Sequence, residues 1–84
     1  MKQIAYSKSA LKVLRKMPNI EAQWITSKVE QYATDPKSLG KNVIRLAGSP
    51  FLRLRVGDWR IIMDDLGQVL QVLKIGPRGS VYKD

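Results

Sequence analysis

The hydrophobic pattern of this chain changes its period once, and the change divides the sequence into a helical half and a strand half. Between residues 10 and 33 apolar side chains recur at the spacing of one helix face. Between residues 51 and 75 they alternate or run almost continuously, which is typical of strands. This order predicts an α+β fold, in which helices pack on one face of a sheet.

The first half predicts a strand followed by a helical hairpin. Residues 3–6 form a short apolar segment, and the hydroxyl of Ser7 is suited to cap a helix that Pro18 ends. Asn19 is predicted to cap a second helix, which ends before Pro36. The first helix has its apolar stripe at Ala10, Val13, Leu14 and Met17. The second has its stripe at Ala22, Ile25, Val29, Tyr32 and Ala33, with Trp24 beside it.

The second half predicts an antiparallel meander of strands at residues 43–46, 51–56, 59–64 and 69–75. The last of these is nearly all apolar, so we expect it to be covered on both faces. A strand as short as residues 3–6 is unstable alone and should return to the sheet, beside residues 69–75. With 84 residues and no linker, the chain is expected to be a single domain.

The Gly57-Asp58 pair fixes the register of the predicted central hairpin. A two-residue loop there places Arg55 opposite Arg60, while Leu54 faces Ile61 and Arg53 faces Ile62. Three arginines then share one face of the sheet, although directly opposed like charges are destabilising. The other face carries the residues that the helices should cover, namely Leu52, Leu54, Ile61 and Met63.

The charge of the chain favours an anionic partner. It has 15 Lys and Arg against 7 Asp and Glu, a net charge of +8, and no Cys or His. Histidine bases, thiol nucleophiles, zinc sites of the usual kind and disulfides are therefore excluded. No apolar run is long enough for a membrane span, so we expect a cytoplasmic protein without membrane contact.

Arginine is concentrated in the strand half, which contains five of the six: Arg45, Arg53, Arg55, Arg60 and Arg78. The planar guanidinium grips phosphate at two points, so this half is suited to bind phosphate. The alternative is a merely solvated sheet face, with Asp58 or Asp64 neutralising one arginine. Gly76 and Gly79 allow the chain to bend, so that Arg78 and then Tyr82 can return to the arginines. Tyr82 would stack on a base, or would simply be a terminal side chain that packs locally.

Residues 52–62 (LRLRVGDWRII) and 72–82 (VLKIGPRGSVY) resemble the RelE/ParE toxin superfamily, and its RelE branch in particular. The resemblance implies a ribosome-dependent endoribonuclease of a type II toxin–antitoxin system. In such toxins the 2′-hydroxyl of messenger RNA attacks the adjacent phosphate. The implied partners are an antitoxin, the ribosome and messenger RNA, with no cofactor or metal. By position, the implied catalytic residues are Arg53, Arg55, Arg60, Arg78 and Tyr82. We expect three further cations to bind RNA, namely Arg45, Lys74 and Lys83.

The chain departs from the family pattern at two places. It has arginine where relatives often have lysine before the hairpin turn, and Pro77 where many have histidine. Because arginine does not lose its proton, the general base is open among Lys74, Tyr82, Asp64 and ribosomal RNA. Two other functions also remain open: inhibition of DNA gyrase without cleavage, as in ParE, and an inactive domain that only binds its antitoxin.

Overall fold

The structure, a computed structural model, describes residues 2–79. Two helices pack on one face of a five-stranded mixed sheet, so the predicted α+β fold is confirmed. The strand order is β1-β5-β4-β3-β2; β1 runs parallel to β5, as its predicted neighbour, and the other pairs are antiparallel. In chain order the elements are β1 (Gln3–Tyr6), α1 (Lys8–Lys16), α2 (Asn19–Thr34), a 3₁₀ helix (Pro36–Leu39), β2 (Val43–Arg45), β3 (Leu52–Val56), β4 (Trp59–Asp65) and β5 (Val69–Pro77).

The start of α1 follows the sequence prediction, whereas the start of α2 does not. The side chain of Ser7 accepts a hydrogen bond from the backbone N–H of Ala10 at 3.0 Å, as an N-cap does. Asn19 was predicted to cap α2, and this prediction is wrong. Pro18 is the capping residue and Asn19 is the first helical residue, without a side-chain cap. The backbone carbonyl of Pro18 accepts the first helical bonds, so the helix begins directly at the proline corner.

One hydrophobic core lies between the helices and the sheet. Both helices bury their predicted stripes there, and Ala10, Ile25 and Val29 are fully buried. The sheet contributes the side chains predicted for its covered face, which are Leu52, Leu54, Ile61 and Met63, together with Leu70, Val72 and Ile75. The helices thus cover one side of the sheet, and the alternate side chains of the strands lie on the side that the helices do not cover.

The strand that is buried on both faces is β4, not β5. In β4 the residues from Arg60 to Met63 are all buried, whereas burial alternates along the first half of β5. The prediction for residues 69–75 was therefore wrong, because an apolar composition does not reveal a strand's place in the sheet. Within the described residues, no helix is long and apolar enough to cross a membrane.

Candidate nucleic-acid interface

Arg60 lies at the centre of a group of cations on the side of the sheet that faces away from the helices. The observed hairpin register is the predicted one, with Arg55 opposite Arg60 and Arg53 opposite Ile62. On the other flank of β4, Gly76 lies opposite Arg60 and Lys74 lies opposite Ile62. Residues opposite one another in a sheet point to the same side. We define the basic face as the sheet surface carrying Arg53, Arg55, Arg60 and Lys74.

Arg60 is a buried cation, with 8% of its surface exposed. Its Nη1 donates to the backbone carbonyls of Gly57, at 2.8 Å, and Trp59, at 2.9 Å, so the guanidinium is fixed against the β3–β4 turn. Its Nε is buried and has no hydrogen-bond acceptor within residues 2–79. A buried charge is costly unless it is paired, so the arrangement leaves Arg60 suited to receive an anion.

The β3–β4 turn that holds Arg60 is itself held by α2. Gly57 has a φ of +57°, and a Cβ at this position would lie 2.7 Å from a ring carbon of Trp24. The indole N–H of Trp59 donates to Glu21 on the first turn of α2 at 2.8 Å. The sequence suggested a packing role for Trp24 but gave no signal for the Trp59–Glu21 bond. Together these contacts make the turn a rigid support for the Arg60 guanidinium.

Arg78 is brought to the same turn by its backbone. Its N–H donates to the carbonyl of Asp58 at 2.7 Å, and its side chain is exposed. Because Asp58 follows Gly57, the carbonyl acceptors of Arg60 and Arg78 belong to neighbouring residues. The structure therefore brings Arg78 beside the other arginines, as predicted, but it does so by continuing strand β5 through Gly76 and Pro77 and not by a bend at Gly76. Tyr82 and Lys83, also predicted for the site, lie outside the described residues.

Arg45 is not brought to the basic face. It lies opposite Leu52 in the β2–β3 pair, and Leu52 points into the helix-covered core. Burial and then the charge of Asp65 raise the pKa of Tyr32, and Arg45 partly opposes that shift. Arg45 is therefore placed near the end of α2, away from the candidate site. Its neighbour Ile44, opposite Arg53, holds the corresponding position on the basic face.

Three arginines at or beside the basic face, Arg55, Arg60 and Arg78, are not neutralised by the nearby aspartates. Within residues 2–79, neither Asp58 nor Asp64 forms a salt bridge with any of the three, whereas Asp65 pairs with Lys2 at 3.4 Å. In the same range no group of three or more acidic side chains lies close enough to hold a metal ion. The sheet surface therefore presents positive charge, as a phosphate-binding surface requires.

Two grooves among the described residues lie away from the basic face. A groove of about 600 Å³ lies at the other end of the molecule, between Lys2, Thr34 and Gly67, and a second of about 340 Å³ lies between α1, α2 and Trp59. Neither groove is lined by an arginine of the basic face. An extended anionic polymer can be held by such a surface, whereas a small molecule is usually enclosed in a concave site.

Comparison with solved structures shows that this fold is that of RelE toxins. An archaeal RelE–RelB complex from Pyrococcus horikoshii OT3 matches this chain with a TM-score of 0.77 and 26% identity, and the match covers 95% of this chain and 98% of that one. The intact E. coli RelBE toxin–antitoxin complex matches with a TM-score of 0.76 and 18% identity, covering 92% of this chain and 96% of that one. YafQ from E. coli BL21(DE3) matches with a TM-score of 0.64 and 12% identity, covering 99% and 100%.

These matches confirm the resemblance stated from the sequence and support a RelE-like toxin of a toxin–antitoxin system. No protein-family model matches the chain, and no curated protein sequence does. The relationship is therefore visible in the backbone more than in overall sequence identity.

Proposed function

We propose that this RelE-like chain is a ribosome-dependent endoribonuclease that cleaves messenger RNA and so inhibits translation. The observation that supports the proposal most is Arg60, a buried arginine on the basic face with no acidic partner among residues 2–79. Its Nη1 is anchored by two carbonyls, so it cannot relax into solvent without breaking both bonds. An RNA phosphate supplies the negative charge that this position lacks.

The cleavage is an internal transfer in RNA. The 2′-oxygen loses its proton and bonds to phosphorus, the bond from phosphorus to the 5′-oxygen breaks, and the leaving oxygen takes up a proton. The products are a 2′,3′-cyclic phosphate and a 5′-hydroxyl. Negative charge grows on the phosphoryl oxygens in the transition state, and fixed guanidinium donors stabilise it without having to reorganise.

Each arginine has a distinct place in this mechanism. Arg60 binds the phosphoryl oxygens from a fixed position, and Arg55, directly across the hairpin, binds the same phosphate from an exposed one. Arg53 neutralises an adjacent phosphate, and Arg78 reaches the leaving oxygen from the β3–β4 turn. The proton acceptor stays open among Lys74 and Asp64, which share this side of the sheet, Tyr82, and ribosomal RNA.

The proposed protein partner is an antitoxin. The P. horikoshii and E. coli structures similar to this chain are complexes of RelE with RelB. A chain of net charge +8 is complementary to an acidic segment that folds on binding. Such a segment would inhibit the toxin by occupying its cations in place of RNA.

The test is primer extension on cellular messages after induction of the toxin. Arg55→Ala and Arg78→Ala change exposed side chains, and we expect each to reduce cleavage by at least about 100-fold, as loss of one transition-state donor typically does. Arg15→Ala on α1 removes an exposed arginine remote from the basic face and should cut like wild type. A wild-type protein that makes no cuts in translated regions, and instead causes DNA damage, would replace the proposal with gyrase inhibition.

A further inference from the structure

Over the segment in which β4 and β5 pair, β5 contains one residue more than β4, and the extra residue is Leu73. The residues of β5 from Pro77 to Lys74 pair regularly with β4. The residues from Val72 to Leu70 also pair regularly, but their register is shifted by one residue. A bulge of this kind changes the side to which the following side chains point. Val72 is fully buried under the helices, whereas Lys74, two residues later, lies on the basic face and is exposed.

The bulge gives the basic face its lysine. In a regular strand residues two apart point to the same side, so Val72 and Lys74 could not lie on opposite faces. With the bulge, Lys74 sits diagonally beside Arg60 on one flank, as Arg53 does on the other. If the bulge were lost and the pairing of β5 with β4 shifted by one residue, Lys74 would point toward the helices.

The backbone carbonyl of Leu73 is held by two hydroxyl groups from the start of α1. Ser7 Oγ donates to it at 2.8 Å and Ser9 Oγ lies 3.3 Å from it. The parallel pairing of β1 with β5 continues to the backbone N–H of Ser7, which donates to the carbonyl of Val72 at 2.9 Å. The chain then turns into α1, so no further residue of β1 can bond to the Leu73 carbonyl, and the serine hydroxyls bond to it instead.

The hydroxyl group of Ser7 therefore makes two hydrogen bonds with different roles. Its oxygen accepts the capping bond from Ala10 while its hydrogen is donated to Leu73. We propose that Ser7 is a positioning residue, which fixes the β5 bulge through the Leu73 carbonyl and so holds Lys74 beside Arg60 as an RNA phosphate contact. The inference rests on the proposed RNA-binding function and adds to it a residue far from the arginines in the sequence.

The experiment uses an RNA oligonucleotide whose reactive 2′-hydroxyl is replaced by hydrogen, so that binding is measured without cleavage. The dissociation constant is determined across a salt series for wild type, Ser7→Gly, Lys74→Ala and the double variant. Glycine removes the hydroxyl donor, introduces no charge and is tolerated at a helix N-cap. Each lost phosphate contact should lower the logarithmic salt slope by about 0.7 for single-stranded RNA.

We expect Ser7→Gly and Lys74→Ala to lower the slope by the same amount, and the double variant to lower it no further. Ser7→Thr retains the hydroxyl and should restore the wild-type slope. Ser27→Gly, on the exposed surface of α2, gives a comparable loss of stability without touching the bulge and should leave the slope unchanged.

A Ser7→Gly protein with a lower melting temperature but a wild-type slope would show that Ser7 only caps the helix, and the inference would be wrong. Additive losses in the double variant would also overturn it, since Ser7 would then not act through Lys74. These readouts do not depend on ribosomal cleavage. A wild-type protein that binds the oligonucleotide but cuts no message would refute the proposed enzyme while leaving the Ser7–Lys74 coupling decided by the slopes.

Discussion

The two faces of the sheet are built from alternate residues of the same strands, yet one face carries buried apolar pairs and the other carries opposed positive charges. On the helix-covered face Leu54 and Ile61 oppose each other and are fully buried. One residue closer to the turn in each strand, Arg55 and Arg60 oppose each other as like charges. The first pair stabilises the fold and the second pair opposes it. The residues that stabilise the fold and the arginines that we propose bind an anion are thus separated by a single residue along each strand.

Of the changes to the two faces, we expect truncation of a side chain in the core to have the largest effect. We expect Ile61→Ala to lower the free energy of unfolding by about 2–5 kcal/mol, because the fully buried side chain leaves a cavity against the helices. Urea unfolding followed by circular dichroism measures the loss. A change under about 1 kcal/mol would mean that the layer relaxes into the space and is not closely packed.

A smaller effect is expected at the turn that connects the two faces. Gly57→Ala forces a left-handed conformation on alanine and places its Cβ 2.7 Å from the Trp24 ring. We expect a loss of about 1–2 kcal/mol from the conformation alone, measured by urea unfolding, together with weaker RNA binding because the Gly57 carbonyl anchors Arg60. Gly67→Ala, also at positive φ but with open space around it, is the matched control and should leave RNA binding unchanged.

The opposed arginines should give a smaller effect on stability, and one of the opposite sign. Arg55→Glu replaces a like pair by an attractive one, so we expect the melting temperature to rise by up to about 4 °C. The same change should abolish RNA binding. Lys12→Glu on α1 makes an equal change in net charge on an exposed helix and should retain binding. A less stable Arg55→Glu protein would show that the arginines do not strain the sheet.

The smallest expected effect concerns Tyr6, which lies on the helix side of β1. Burial, and then the charge of Glu30, raises the pKa of Tyr6 to about 12 from its usual 10.0. The folded state holds this proton more tightly than the unfolded state, so the contribution is complete below pH 10 and disappears as the pH rises toward 12. We expect wild type to lose more stability than Tyr6→Phe between pH 10 and 12 in urea unfolding. Equal losses would contradict the assignment.

Local patterns were sufficient to predict the helices, the central hairpin and its register. The apolar period predicts the helical stripes, and the Gly57-Asp58 turn predicts the Arg55–Arg60 opposition that the structure shows. These features depend on residues that are close together in the chain. The prediction that residues 3–6 pair with the last strand also held, because a strand so short needs a partner.

The features that sequence reasoning missed depend on contacts between distant residues. Nothing in an apolar run marks Leu73 as an extra residue, and its carbonyl accepts hydrogen bonds from hydroxyl groups 66 and 64 positions away. The burial of Arg60 likewise depends on its central strand and on carbonyls that only the folded turn presents. Residue type alone predicts Arg45 to lie with the other arginines, but its pairing with Leu52 places it on the helix side of the sheet.

The parallel pairing of β1 with β5 has a consequence for a chain that is still being synthesised. The β3–β4 hairpin can close early, but β1 has no partner until residues 69–72 have been made. Those residues are followed at once by Lys74 and Arg78, so the sheet and its cationic surface are completed in the same interval. A nascent chain therefore has an incomplete cationic surface until strand β5 has been synthesised.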